Sequence, residues 1–158
     1  GRDAMIRRAS ELAAAKIPFI FDPGQGLPMF DGADLRAFVE QATWVTVNDY
    51  EARMLTDRTG LSLAQLSTSH LKGVIVTLGD QGCEVWEQGV RTHVPGETAS
   101  AVVDPTGCGD AFRGALLYGL EKGWPLIDCV RLGNKVGALK IAYRGGQNHP
   151  IDKAALGA

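Results

Sequence analysis

The chain has 158 residues, of which 45% are hydrophobic and 22% are charged, and its formal net charge is −2. This length and this balance are typical of one folded domain with its own core, and they exclude a disordered tail or a collagen-like repeat. Because no basic excess is available to neutralise a nucleic-acid backbone, we expect no nucleic-acid partner. No apolar run approaches the roughly 20 residues that cross a bilayer, so we also expect no membrane association.

The first half of the chain alternates between two kinds of apolar pattern. Apolar residues at helical spacing predict helices over about residues 2–16 and 34–42. Short runs rich in branched and aromatic residues predict buried strands over residues 17–21, 44–47 and 73–78. Buried strands separated by helices are typical of an α/β fold whose mostly parallel sheet is flanked by helices on both faces.

Further elements follow from capping and turn signals. Asn48 or Asp49 is expected to cap a helix that stops near Gly60. Residues 83–86 and 90–94 predict a β-hairpin. A helix after the glycine-rich segment at residue 107 is expected to end at Gly123, and a last helix to run from Trp124-Pro125 to Gly145-Gly146.

The three cysteines, Cys83, Cys108 and Cys129, lie far apart and form no CxxC pair. An odd number of scattered cysteines fits reduced thiols better than a disulfide framework, and the spacing does not fit a zinc site. We therefore predict a cytoplasmic protein.

The segment DPTGCGDAFRG, from Asp104 to Gly114, carries the strongest chemical signal. Two alternating glycines at the start of a helix let unpaired backbone N–H groups point outwards, an arrangement that binds anions and above all phosphate. An acid in such a turn, Asp110, is useful if it takes a proton from a hydroxyl while the amides stabilise a transferring phosphoryl group. The alternative is an ordinary turn in which Asp110 only caps the helix.

In this segment the sequence resembles the PfkB family of sugar and nucleoside kinases, which has the ribokinase-like fold. The family pattern D-x-x-G-x-G-D-x-F begins at Asp104 and includes Gly107, Gly109 and Asp110. The resemblance implies that Asp110 is the catalytic base. It also implies that the backbone amides of Gly107, Cys108 and Gly109 contribute to an anion hole.

Two other family motifs imply a nucleotide site. The family's T-x-G-x-x-G, which lines the nucleotide, appears as Thr77, Gly79 and Gly82, and Asn134 occupies a position near the adenine in many members. The family's N-x-x-E begins at Asn48, after a predicted strand, and is expected to lie beside the nucleotide phosphates.

The resemblance also implies metal ions. Asn48 and Glu51 would organise Mg²⁺ through its water molecules, since a carboxylate alone would repel phosphate. Glu51 is otherwise explained as a solvated helix residue. Asp104, Thr106 and Gly145 are candidate ligands of a monovalent cation such as K⁺, although Asp104 also suits a simple turn before proline.

The segments at residues 22–25, 48–51 and 104–113 look most like those of bacterial adenosine kinases, and ribokinase and fructokinase are the neighbouring alternatives. The family's N-terminal half, with its acceptor pocket and its lid, has no counterpart in these residues. We therefore expect residues 1–158 to be the C-terminal nucleotide-binding and catalytic part of a kinase domain. The full-length protein is a candidate homodimer through its lid.

The resemblance implies an ATP-dependent kinase that phosphorylates a hydroxyl of a small nucleoside or sugar. A second interpretation is a nucleotide-binding fragment without catalysis. The retained Asp110 argues against it, because a pure binder gains nothing from an acid beside a phosphate. A third is an α/β protein with an incidental turn, which requires all three motifs to arise by chance.

Overall fold

A computed structural model describes residues 1–96 and 108–142, with side chains over 1–96 and 109–137. The contacts divide the chain into two units. The first comprises residues 1–78 and 84–93, and the second comprises residues 79–83 and those from 94 onwards.

Helices and strands alternate in the first unit, as the sequence predicts. The elements are α1 (Arg2–Ala14), β1 (Ile20–Phe21), α2 (Gly32–Gln41), β2 (Trp44–Asn48), α3 (Asp49–Thr59), α4 (Leu63–Ser67), β3 (Gly73–Thr77), β4 (Cys83–Glu87) and β5 (Val90–Val94). Short 3₁₀ helices cover Gly24–Met29 and Gly79–Gln81.

The strands form one sheet in the order β1-β2-β3-β4-β5. Strands β1, β2 and β3 are parallel, with Val45 opposite Val74 and Asn48 opposite Thr77. The central residues of β2 and β3 are buried, which is typical of parallel strands flanked by helices. Between β4 and β5, Gln88 and Gly89 both adopt positive φ, the conformation of a two-residue hairpin turn. The predicted α/β fold and its hairpin are confirmed.

Phenylalanine rings form part of the first unit's core. Phe21 from β1 stacks on Phe38 from α2 with ring centroids 4.3 Å apart, and Phe30 packs edge-on against Phe38 at 4.9 Å. Helix α2 buries Phe38 together with Leu35 and Val39, the face that its periodicity predicts.

Two predictions for the first unit were wrong in extent. Strand β1 has two residues where residues 17–21 were predicted; Ile17 is half-exposed and its N–H bonds the carbonyl of Leu12 instead of a strand. Helix α1 ends at Ala14 because Lys16 adopts a positive φ of 57°. Helix α4 was not predicted, although Ser62 opens it with a reciprocal capping box.

The second unit contains the helices α5 (Cys108–Glu121) and α6 (Leu126–Ala142). Helix α5 is followed by Gly123 at φ 76°, and α6 begins after Pro125, as predicted. The predicted end of α6 at Gly145-Gly146 lies outside the described residues. In the part of the chain that the structure describes, no helix is long and apolar enough to cross a membrane.

The packing of α5 against α6 depends on two glycines. A Cβ atom at Gly133 would lie 2.6 Å from the ring of Phe112, and one at Gly119 would lie 2.7 Å from the sulfur of Cys129. Both distances are shorter than van der Waals contact, so the two helices approach where a side chain is missing.

Candidate active site

In the first unit, two of the predicted motifs meet at one edge of the sheet. Asn48 is the last residue of β2 and lies opposite Thr77, the last residue of β3. Because the strands are parallel, their carboxyl ends share an edge, which is where open α/β sheets bind ligands. The hydroxyl of Thr77 contacts the carbonyl of Val47 at 3.5 Å, which directs it towards the neighbouring strand.

The N-x-x-E motif forms a capping box at the start of α3. The Asn48 side-chain oxygen accepts from the backbone N–H of Glu51 at 2.7 Å, and Glu51 Oε1 accepts from the backbone N–H of Asn48 at 2.8 Å. The motif therefore has a structural role that requires no ligand. The box uses one carboxylate oxygen of Glu51 and leaves Oε2 outside it.

The capping box bears on how these two residues would hold Mg²⁺. Carboxylate and amide oxygens are the donors that Mg²⁺ prefers, and Mg²⁺ is usually held by one or two carboxylates together with water and substrate phosphates. Over residues 1–96 and 109–137 the structure shows no group of three His, Cys, Asp or Glu side chains placed to hold a metal. Asn48 and Glu51 fit a water-mediated magnesium site, and they do not fit an all-protein cage.

The T-x-G-x-x-G motif continues into a tight turn of the second unit. Gly79 and Gly82 adopt φ values of 63° and 88°, a conformation that favours glycine. A Cβ atom at Gly82 would lie 2.1 Å from the carbonyl oxygen of Val94, and one at Gly96 would lie 2.5 Å from that of Asp80. Residues 79–82 and 94–96 therefore lie backbone against backbone, with no room for a side chain at either glycine.

Asp110 lies in the first turn of α5, where backbone N–H groups have no partner within the helix. Its side chain is 90% exposed, and one carboxylate oxygen lies 3.1 Å from Nη1 of Arg113. An exposed pair of this kind contributes little to stability and leaves the carboxylate accessible. The side chain of Arg113 also covers Gly109, since a Cβ atom there would lie 3.3 Å from Nη1.

The structure describes only some of the other residues in the family pattern that begins at Asp104. Phe112, the last residue of the pattern, is buried against Gly133, so it holds α5 on α6 two residues beyond Asp110. Cys108 is the first residue of α5. Gly107, a predicted residue of the anion hole, lies outside the described residues. So do the three candidate cation ligands, Asp104, Thr106 and Gly145.

The side-chain amide of Asn134, on α6, has two protein partners. Its Nδ2 donates to the carbonyl of Pro95 at 3.1 Å, and its Oδ1 lies 3.5 Å from the sulfur of Cys83, which donates. Burial raises the pKa of Cys83 to about 12, so the thiol keeps its proton at neutral pH.

Sequence reasoning missed the contributions of Cys83 and of the Pro95-Gly96 dipeptide to this part of the molecule. The dipeptide is a turn signal directly after a predicted strand, and it could have indicated a specific backbone conformation. Cys83 carries no comparable signal, because a buried cysteine resembles any small apolar residue in the sequence.

Several known proteins are similar to this chain. The structure of a nucleoside kinase from Burkholderia thailandensis in complex with inosine is 45% identical, covers 98% of this chain and 50% of its own, and superposes with a TM-score of 0.90; the same kinase is also known in complex with ADP-inosine. The cytidine kinase of Thermococcus kodakarensis is 38% identical over 83% of this chain. The nucleoside kinase structure from Methanocaldococcus jannaschii, a member of the ribokinase family, shares 22% identity at a TM-score of 0.89 and supports the ribokinase-like fold.

The chain spans about half the length of two of these relatives: 49% of the Thermococcus enzyme and 50% of the Burkholderia chain. The model of the pfkB family carbohydrate kinases matches residues 2–154, which is nearly the whole chain. The chain therefore belongs to the pfkB family of carbohydrate kinases.

Proposed function

We propose that this chain carries the nucleotide-binding and catalytic part of an ATP-dependent kinase that phosphorylates a hydroxyl of a nucleoside. The observation that carries the proposal is the position of Asp110, an exposed carboxylate in the first turn of α5. A base and a set of amide donors on one turn are the minimum that phosphoryl transfer to an alcohol requires from the protein.

In this proposal Asp110 accepts the proton of the attacking hydroxyl as the oxygen of that hydroxyl forms a bond to the γ-phosphorus of ATP. The bond between the γ-phosphorus and the β,γ-bridging oxygen breaks in the same transfer, and ADP leaves. The amides at the start of α5, including those of Cys108 and Gly109, donate to the oxygens of the transferring phosphoryl group. Preorganised donors aimed at developing charge are usually the largest single contribution to such a rate enhancement. Arg113 adds a positive charge beside the same turn.

ATP is the proposed phosphoryl donor, in line with the ADP-inosine complex of the Burkholderia kinase. Asn48 and Glu51 are the residues that would hold Mg²⁺ through its water shell, and the ion would neutralise phosphate charge. Glu51 Oε2, outside the capping box, is the atom we assign to that contact. A K⁺ site at Asp104, Thr106 and Gly145 remains a proposal that only the family resemblance supports.

We favour a nucleoside over a sugar as the acceptor. The support is the inosine complex of the Burkholderia kinase, which is 45% identical to this chain, and the similarity to a cytidine kinase. Adenosine remains a prediction from the sequence resemblance alone. Ribose or fructose is the alternative acceptor, because the family as a whole is one of carbohydrate kinases.

The acceptor pocket and the lid are proposed to lie in a part of the protein that this chain does not contain, which is consistent with its spanning about half of the Thermococcus enzyme and of the Burkholderia chain. We also propose that the full-length protein forms a homodimer through that lid. We further propose that it is located in the cytoplasm. The location is supported by the two described cysteines, which are both free and buried.

The proposal is tested by the substitution Asp110→Asn in the full-length protein, assayed with MgATP and each of adenosine, inosine, cytidine, ribose and fructose. Removing a general base is expected to lower kcat by about 100-fold or more. Nucleotide affinity, measured by calorimetry, should stay close to that of the wild type, because Asn keeps the size of the side chain and the amides of α5 remain.

Asp128 offers a matched control, since it is an exposed acid in the first turn of α6 with an arginine three residues later. Asp128→Asn should leave kcat unchanged. A near-normal kcat in Asp110→Asn would exclude Asp110 as the base. Turnover of sugars alone by the wild type would replace the nucleoside by the alternative acceptor.

A further inference from the structure

Asn134 joins three segments of the second unit. Its amide contacts Pro95, in the segment after β5, and Cys83, directly after the 79–82 turn, while its own backbone belongs to α6. Cys83 and Asn134 are 51 residues apart in the chain. The contact therefore links the turn, the segment and the helix at one point.

The direction of both hydrogen bonds follows from chemistry. The carbonyl of Pro95 can only accept, so the NH₂ group of Asn134 must face it, and this leaves the amide oxygen towards Cys83. The buried thiol remains protonated and can donate. The two contacts agree on a single orientation of the amide, at 3.1 Å and 3.5 Å.

The backbone around this contact is tightly packed. Gly82 and Gly96 lie so close to the facing backbone that a single Cβ atom would overlap it, at 2.1 Å and 2.5 Å. A rotation of the 94–96 segment away from Asn134 would therefore change the contact between that segment and the turn. Asn134 is placed to hold this arrangement, because it bonds the residue next to Gly96 and the residue next to Gly82.

We infer that Asn134 is a positioning residue, which shapes the nucleotide-binding turn at residues 79–82 through its hydrogen bonds to Pro95 and Cys83 and does not select the base. This inference rests on the proposed function, in which ATP is the phosphoryl donor, and on the sequence resemblance, which implies that the turn lines the nucleotide. The base would then be held by the backbone of the turn. The Asn134 side chain would set the shape of that backbone in the free protein.

The inference is tested by calorimetric binding of ADP and of GDP to the full-length protein. Cys83→Ala removes one hydrogen bond and is expected to weaken ADP binding by roughly 5-fold. Asn134→Ala removes both hydrogen bonds and should weaken ADP binding by at least as much. GDP binding should weaken by the same factor, so that the ratio of the two affinities stays constant. The double variant should bind ADP no more weakly than Asn134→Ala, since both changes break one connected contact.

Two conservative variants separate this role from general stability. Cys83→Ser keeps a hydrogen-bond donor of similar size and should retain the wild-type affinity for ADP. Asn134→Asp keeps the shape of the side chain but cannot donate to the carbonyl of Pro95, so its affinity for ADP should fall. Cys129→Ala removes the other buried thiol of the same unit, whose sulfur contacts Trp124 and not Asn134. It should lower thermal stability without changing ADP affinity.

The outcomes are distinct. An unchanged ADP affinity in Cys83→Ala, or full additivity in the double variant, would overturn the positioning role. A changed ratio of ADP to GDP affinity in Asn134→Ala, with no change in Cys83→Ala, would show a direct contact with the base instead. Wild-type protein that binds ADP but phosphorylates no acceptor would contradict the proposed function and leave the positioning role standing.

Discussion

At the scale of single residues, Glu51 combines a helix-capping role with a proposed metal-binding role, and the sequence motif alone does not distinguish the two. Its carboxylate closes the capping box of α3, and its second oxygen is the proposed contact to the water shell of Mg²⁺. A capping box needs only a side-chain acceptor at this position, and Gln supplies one. Helix α4 shows this directly, because Gln65 closes its box with Ser62.

Glu51→Gln is therefore expected to preserve the helix and impair the metal site. The Mg²⁺ concentration for half-maximal activity should rise by about 10-fold, the lower range for residues that act on a metal through its ligands. Thermal stability should stay close to that of the wild type. The measurement is a Mg²⁺ titration of the kinase rate at saturating acceptor, alongside thermal unfolding.

Two further variants complete this comparison. Asn48→Ala should raise the Mg²⁺ requirement and also lower stability by about 1 kcal/mol, because it removes the cap. Gln65→Ala weakens the capping box of α4 and should lower stability alone. If Glu51→Gln titrates like the wild type, the N-x-x-E motif has only its capping role.

At the scale of elements, helix α5 is positioned by its contact with α6. The ring of Phe112 fills the space that Gly133 leaves open, two residues from Asp110. The aromatic residue of the family signature therefore packs the two helices together.

Alanine substitutions at two helical glycines should have opposite effects. Gly133→Ala is expected to destabilise the protein by about 1–3 kcal/mol, because the new methyl group would overlap the ring of Phe112. Gly114→Ala, on the exposed side of α5, meets no atom within 4 Å and should stabilise by about 0.5–1 kcal/mol through helix propensity. Urea unfolding of both variants tests the prediction. Equal effects of the same sign would show that Gly133 does not set the contact between the helices.

Cys108, the first residue of α5, allows a chemical test of the proposed phosphate site. Burial raises the pKa of Cys83 to about 12 and that of Cys129 to about 11, so both thiols should alkylate slowly at neutral pH. A helix N-terminus favours the thiolate, and we expect Cys108 to react first. MgATP should protect it. Peptide mapping after limited alkylation, with and without MgATP, gives the order. If Cys108 is labelled no faster than the other two, or MgATP gives no protection, either its thiol faces the core or this loop is not the phosphate site.

At the scale of the whole molecule, this chain alone is not expected to transfer phosphate at a useful rate. Phosphoryl transfer requires the acceptor to be held against the γ-phosphate, and positioning alone can contribute about 7–11 kcal/mol to lowering the barrier. Residues 1–158 should bind ADP but show no acceptor-dependent ADP release, whereas the full-length protein should show it. Efficient turnover of a defined nucleoside by residues 1–158 would place the acceptor pocket within this chain.

The sequence by itself determined what depends on neighbouring residues. Local spacing and backbone preference predict the end of α3 at Gly60, the hairpin at Gln88-Gly89 and the buried face of α2. They place the start of α3 at Asn48 or Asp49, and the structure shows that Asn48 is the cap. The family motifs could be identified for the same reason, because each is a contiguous pattern that serves a local backbone conformation.

Tertiary structure decided what depends on contacts between distant segments. The pairing of Asn48 with Thr77, the packing of Phe112 on Gly133 and the contact between Cys83 and Asn134 join residues 21 to 51 positions apart. The sequence does not indicate the contact partner of a buried cysteine or of a helical glycine. The effect of such a residue comes from shape and burial, which exist only once the chain has folded. The short β1 has a local cause instead, since the backbone N–H of Ile17 bonds the carbonyl of Leu12, five residues earlier, and leaves two residues for the sheet.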